Sequence, residues 1–160
     1  DVHIAPRLFG GTGSRSDEDV QPDGLPDSLE SGTMNIVGIA GLGGGLVYLS
    51  RIGLETVRNH ERGLVARFIE GALSHVPGVV VYGSLQADEY LSAVSFSLCN
   101  LDPSQAGLIL DRRYGIMCRV GLHFNPTCHK ALGTFPIATV RFSFSPFTNT
   151  PVIDTSLIHI

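Results

Sequence analysis

Two short runs in which apolar and polar residues alternate constrain this chain more than any other feature. From Leu91 to Leu98, Val94, Phe96 and Leu98 fall on one side and Ser95 and Ser97 on the other. From Thr139 to Ser145, Val140, Phe142 and Phe144 alternate with Arg141, Ser143 and Ser145. A period of two gives a strand one apolar and one polar face, so each run predicts a half-buried strand. Val94, Phe96, Val140, Phe142 and Phe144 are therefore expected to share one core. Val79-Val80-Val81-Tyr82 and Ile116 to Val120 add two further candidate strands.

Helical segments separate the strands. Leu54 to Val76 carries Leu54, Val57, Leu64, Phe68, Leu73 and Val76 at helical spacing and stops at Pro77-Gly78. Pro103 opens a helix over Ser104 to Tyr114, ended by Gly115. Asn125-Pro126 opens another through Leu132, closed by Gly133, and Thr150-Pro151 begins a last one that the chain end cuts short. Ahead of these, Met34 to Ser50 is small and apolar and reads as a buried helix whose glycines admit a close backbone, with Gly53 as a break. Residues 1–33 are rich in Gly, Ser, Asp and Pro and read as loop. The fold class is α+β: a small, mostly antiparallel sheet with helices on one face, fed by a long helix from a loop-rich region that belongs to another domain.

Composition excludes some functions. A formal net charge of -4 with scattered arginines, only Arg112-Arg113 adjacent, argues against a nucleic-acid partner. No run of about 18 apolar residues exists, so no membrane span is expected. The apolar Ile36 to Leu49 is too short and is loosened by five glycines. Charged residues make up 16%, below the roughly 25% of free-standing domains, which hints at a surface covered by another domain. Cys99, Cys118 and Cys128 form no C-x-x-C pair and are odd in number, which favours a reducing, cytoplasmic setting over a disulfide scaffold. Cys99 and Cys118 fall in expected strands and read as core residues.

Several groups invite a chemical reading. Gly10-Gly11-Thr12-Gly13-Ser14 could cradle a phosphate or be a plain turn. Gly38 to Gly45 lacks the third glycine of a dinucleotide turn and suits close helix packing better. His123, Cys128 and His129 lack a fourth ligand at metal spacing, and adjacent helical residues point roughly 100° apart, so no metal site is expected. Arg119 and Arg141, near strand ends, suit bidentate carboxylate recognition or a surface salt bridge.

Three phrases in order resemble the class V aminotransferase and cysteine desulfurase family. They are Gly10-Gly11-Thr12-Gly13-Ser14 with Gln21-Pro22; Glu30-Ser31-Gly32-Thr33-Met34-Asn35 running to Gly38-Ile39-Ala40-Gly41-Leu42; and Arg119-Val120-Gly121-Leu122-His123 with His129-Lys130-Ala131-Leu132-Gly133-Thr134 and Val140-Arg141-Phe142-Ser143. Phe147-Thr148-Asn149-Thr150 with Ile153-Asp154 resembles the family's usual end. The match spans nearly the whole chain, and it is to the family's C-terminal portion.

The resemblance implies the small C-terminal domain of a fold-type I pyridoxal-phosphate enzyme acting on an amino acid, nominally the desulfuration of L-cysteine. Residues 1–33 would be the tail of the large cofactor-binding domain, 34–54 a connecting helix and 55–160 the small domain. Gly32 and Thr33 would touch the cofactor phosphate in the partner's site of a homodimer. Arg141 would hold the substrate carboxylate and Arg119 would support the same loop. Two departures stand out. The Schiff-base lysine lies upstream in the family, and the one lysine here, Lys130, matches another position. Phe124 stands where the family's sulfur-accepting cysteine falls, with Cys128 the nearest thiol. The chain alone is therefore expected to be inactive and to bind no cofactor covalently. The alternatives are a non-catalytic assembly or regulatory domain, or part of an aminotransferase or lyase relative.

Overall fold

The structure is a computed structural model and describes residues 4–11, 13 and 15–159. Thr12 and Ser14 of the glycine-rich phrase lie outside the described residues. The chain divides into two units, residues 1–51 and 52–160.

In the first unit the described residues before 36 form loops and turns with neither helix nor strand. Side chains and backbone cross-brace them: Gln21 Nε2 donates to the Ser28 carbonyl at 2.7 Å, and the Gly32 N–H donates to the Gly11 carbonyl at 3.0 Å. Helix α1 spans Ile36–Ile52. The Asn35 carboxamide oxygen accepts the Gly38 N–H at 3.0 Å and so serves one of the helix's unpaired donors. The expectation of a buried helix fails here. None of its residues is buried, and Val37 and Leu42 stand open. Apolar character and glycine content dictate neither cover nor depth; they permit a close partner without supplying one.

The second unit is the α+β layer. Helix α2, Leu54–His75, is followed by β1 (Val79–Tyr82), β2 (Ala93–Leu98), α3 (Pro103–Tyr114), β3 (Arg119–Gly121), α4 (Pro126–Ala131), β4 (Thr139–Ser143) and α5 (Thr150–His159). The four strands make one antiparallel sheet in the order β1-β2-β4-β3. Asp102 caps α3 by accepting from the Ser104 N–H at 2.8 Å, with Pro103 at the first helical position. Gly115 ends it with φ 65°, a left-handed turn that costs glycine nothing.

The apolar face of the sheet packs on α2, α3 and α5. Phe68, with no exposed surface, sits at the centre, its ring 5.4 Å from Phe96, 5.2 Å from Phe142 and 6.0 Å from Phe144. Val94, Phe96, Val140, Phe142 and Phe144 do share one core with Leu64, Val65, Ile69, Ala106, Leu110 and Ile153. Two cysteine expectations need correction. Cys99 is exposed because β2 ends at Leu98 and the chain turns away at Asn100, φ 64°. Cys118 precedes β3 and is half-buried against the core edge.

Candidate functional site

The polar face of the same sheet carries the candidate site. Strand register aligns one residue from each strand: Tyr82 opposite Ser95, Ser95 opposite Arg141, Arg141 opposite Arg119. Directly paired residues of antiparallel strands project to the same side. Because Phe96, Val140 and Phe142 point into the core, this row faces the other way. Tyr82 extends it by hydrogen bonding Ser97 through the two hydroxyls at 2.9 Å.

The charges in this row are unbalanced. Like charges directly opposite on neighbouring strands are destabilising, yet Arg119 and Arg141 face each other. Among the described residues neither side chain makes a salt bridge or a hydrogen bond, and the Arg141 Nε is buried without a partner. A buried donor left unpaired costs about 1–3 kcal/mol. Such a pair is suited to an anion placed between or beside its guanidinium groups.

A cavity of about 220 Å³ opens at this point, lined by Tyr82, Ser95 and Arg141 from the sheet and by His123, Cys128 and His129 from β3's following loop and α4. Thus α4 stands over the polar face while α2, α3 and α5 cover the apolar one. Asn125 caps α4, its side-chain oxygen accepting the Cys128 N–H at 3.1 Å, which sets Cys128 and His129 beside the cavity. His129 is 5% exposed and hydrogen bonds Thr134 Oγ1 through Nδ1 at 2.7 Å. His123 Nε2 lies 3.3 Å from Thr139 Oγ1. Burial, followed by the positive charge of Arg141 and then of His129 and Arg119, pushes the His123 imidazole below its usual range. Hydrogen bonding to Thr139 opposes that shift.

The structure brings Arg119, Arg141, His123, Cys128 and His129 into one region. No group of three or more metal-ligating side chains occurs among the described residues. Phe124 stands away from the cavity lining, 95% exposed and at φ 60°. Lys130 is exposed and places its Nζ 5.1 Å from the Phe135 ring centroid. Gly32 and Thr33 lie in the first unit, both exposed; the Gly32 N–H is engaged by Gly11, whereas the Thr33 hydroxyl has no partner among the described residues. Sequence reasoning singled out both arginines but not Tyr82 and Ser95. Their signal was the shared register, which a single strand's pattern does not carry.

The sequence profile described as aminotransferase class-V matches residues 1–155. The chain belongs to that family. Its relatives include proteins named "Probable cysteine desulfurase" from Methanothermobacter thermautotrophicus, 34% identical over 110 residues, and from Pyrococcus abyssi, 34% identical over 132 residues. These alignments cover 66% and 82% of this chain but 27% and 32% of the relatives. Among solved structures, a cysteine desulfurase from Thermococcus onnurineus in its apo form superposes with a TM-score of 0.81 at 36% identity. One from Escherichia coli in an S-sulfonic acid form gives 0.77 at 26%. They cover 95% and 97% of this chain and 37% of each neighbour. The chain thus spans about a third of the length of those proteins, and its fold is the small mixed domain of the fold-type I enzymes.

Proposed function

We propose that this chain is the substrate-gripping part of a pyridoxal-phosphate enzyme acting on an amino acid, nominally the desulfuration of L-cysteine. Arg141 takes the substrate carboxylate and Arg119 supports it. The observation that carries the reading is the paired, uncompensated Arg119 and Arg141, with Arg141 lining a cavity and its Nε unpartnered. An arginine fork matches a carboxylate in shape and charge. Residues 1–33, 34–54 and 55–160 then correspond to a tail of the large domain, the connecting helix and the small domain, in a cytoplasmic homodimer.

The residues of this chain do not fit a covalently held cofactor. Lys130, the one lysine, lines no part of the Arg141 cavity, and of the Gly32-Thr33 pair the Gly32 N–H is already engaged by Gly11, which leaves Thr33 for a phosphate. In this reading the cofactor lysine belongs to a large domain. The position of Lys130 and the presence of Phe124 favour a second reading, a carboxylate-binding domain with an assembly or regulatory role.

Calorimetric titration with L-cysteine tests the favoured reading. Arg141→Ala should weaken binding about tenfold or more, since a hydrogen bond to a charged group contributes about 1.5–3 kcal/mol. Equal affinity in wild type and Arg141→Ala would remove Arg141 from substrate recognition. Reconstitution with a lysine-bearing large domain separates the two readings: sulfide release supports the enzyme, and binding without turnover supports the regulatory domain.

A further inference from the structure

Thr134 and His129 make a buried pair whose hydrogen bonding can be assigned atom by atom. The Thr134 hydroxyl has one proton and two acceptors in reach, His129 Nδ1 at 2.7 Å and the His129 carbonyl at 3.3 Å. That carbonyl already accepts the Thr134 N–H at 2.9 Å and the Phe135 N–H at 3.1 Å. A carbonyl oxygen has two lone pairs, and both are served. The hydroxyl proton therefore goes to the nearer, unserved acceptor, Nδ1. A neutral imidazole that accepts at Nδ1 carries its own proton on Nε2.

The ring's position shows where that proton is directed. His129 lines the 220 Å³ cavity, whereas Thr134, bonded to the Nδ1 edge, does not. The edge that carries Nε2 is the one Thr134 leaves unengaged. Among the described residues Nε2 makes no hydrogen bond. Among the described residues the cavity lining includes Arg141, whose Nε is buried without a partner, and His129, and none of its lining residues is an aspartate or glutamate. Donors lining one cavity with no carboxylate among them are complementary to an oxyanion.

We propose that His129 is a second carboxylate-binding residue, donating from Nε2–H to the anion held by Arg141, and that Thr134 is the positioning residue that fixes this tautomer. The proposal rests on the reading of Arg141 as a carboxylate receptor and adds to it the group that orients the carboxylate. One guanidinium leaves a carboxylate free to rotate about the fork; a neutral donor from the α4 side fixes it. A neutral imidazole in this role contributes orientation without adding a third positive charge beside Arg119 and Arg141.

Side-chain nitrogen NMR of the 160-residue chain, with the histidines isotopically labelled, tests this above pH 8, where histidine is neutral. The expected spectrum gives His129 a protonated Nε2 and a bare Nδ1. An Nδ1–H tautomer overturns the proposal. L-alanine, a carboxylate probe without a thiol, should shift both the Arg141 Nε and the His129 Nε2 resonances along one saturation curve. Thr134→Val should release the tautomer preference and weaken alanine binding about tenfold, while Thr134→Ser should restore both. Alanine that moves Arg141 and leaves Nε2 unmoved overturns the role of His129 and leaves the carboxylate reading standing. Alanine that moves neither overturns both.

Discussion

Arg67 on α2 and Asp154 on α5 are joined by two parallel hydrogen bonds, Nε to Oδ1 at 2.6 Å and Nη2 to Oδ2 at 2.9 Å. The pair fastens the last helix to the longest one across the outer surface of the second unit, above the contact that buries Ile153. The hydrogen bond from Arg67 holds the Asp154 carboxyl below its usual range. A depressed carboxyl stabilises the fold above its ordinary pKa and loses that contribution as pH falls through the folded value. Asp154→Asn should lower the melting temperature modestly at neutral pH, as exposed pairs are weak. The difference from wild type should vanish under strongly acidic conditions. A difference that persists unchanged at pH 2 would show that Asp154 acts through something other than its charge.

The aromatic cluster makes a larger claim. Phe68 is fully buried and touches aromatic rings on both central strands. Phe68→Ala removes that contact and leaves a cavity bounded by rigid rings, which should cost about 3–5 kcal/mol in urea unfolding. Phe68→Leu should recover much of the loss. A cost for alanine below about 1.5 kcal/mol would mean that the sheet and helix re-close over the gap, and that Phe68 is not the keystone of this core.

Much of this layer was legible in the sequence, for identifiable reasons. The alternating runs around Phe96 and Phe142 reported strands and their buried faces because one side of each strand meets a core and the other does not. Pro103 and Gly115, or Asn125 and Gly133, marked helix ends by backbone chemistry alone. The helical pattern of Leu54 to Val76 reported the helix but not its depth. Leu54 and Leu73 are exposed, whereas Val65, Ile69 and Ala72 are buried with Leu64 and Phe68. A stripe read from spacing has two candidate edges, and only the partner elements choose between them. In the site, Arg119 and Arg141 were visible as types, but their pairing depends on the register of β3 against β4, which no local pattern encodes. The tautomer of His129 depends on how many donors already reach one carbonyl oxygen.

His123 provides a pH signature of the arginine pair. Its folded pKa is lowered, by burial first and then by Arg141. Between the folded value and the ordinary value near 6.5, the unfolded chain binds more protons than the folded one, so stability rises with pH through that window. His123→Gln should flatten this rise. In NMR titrations His123 should titrate below the ordinary histidine value, and Arg141→Ala should move it upward. No movement in Arg141→Ala would place the guanidinium farther from His123 than the lining of the cavity implies.

The last prediction concerns Phe124, in the loop that follows β3. Its ring is 95% exposed and contributes almost no burial, while its backbone sits at φ 60°. A bulky side chain in the left-handed region costs about 1–2 kcal/mol, a cost that asparagine largely avoids. Phe124→Asn should therefore stabilise the chain by about 1 kcal/mol in urea unfolding. Phe124→Cys should fold as well as wild type and present a fully accessible thiol, since nothing packs on this position. Alkylation rates then rank the thiols. The thiol in Phe124→Cys should react first, exposed Cys99 and Cys128 next, and Cys118 last, because burial and then Asp111 push its pKa up and the thiolate is the reacting form. If the thiol introduced at 124 reacts as slowly as Cys118, the loop folds inward over the cavity. The residue at this position would then help to close the carboxylate site rather than project from it.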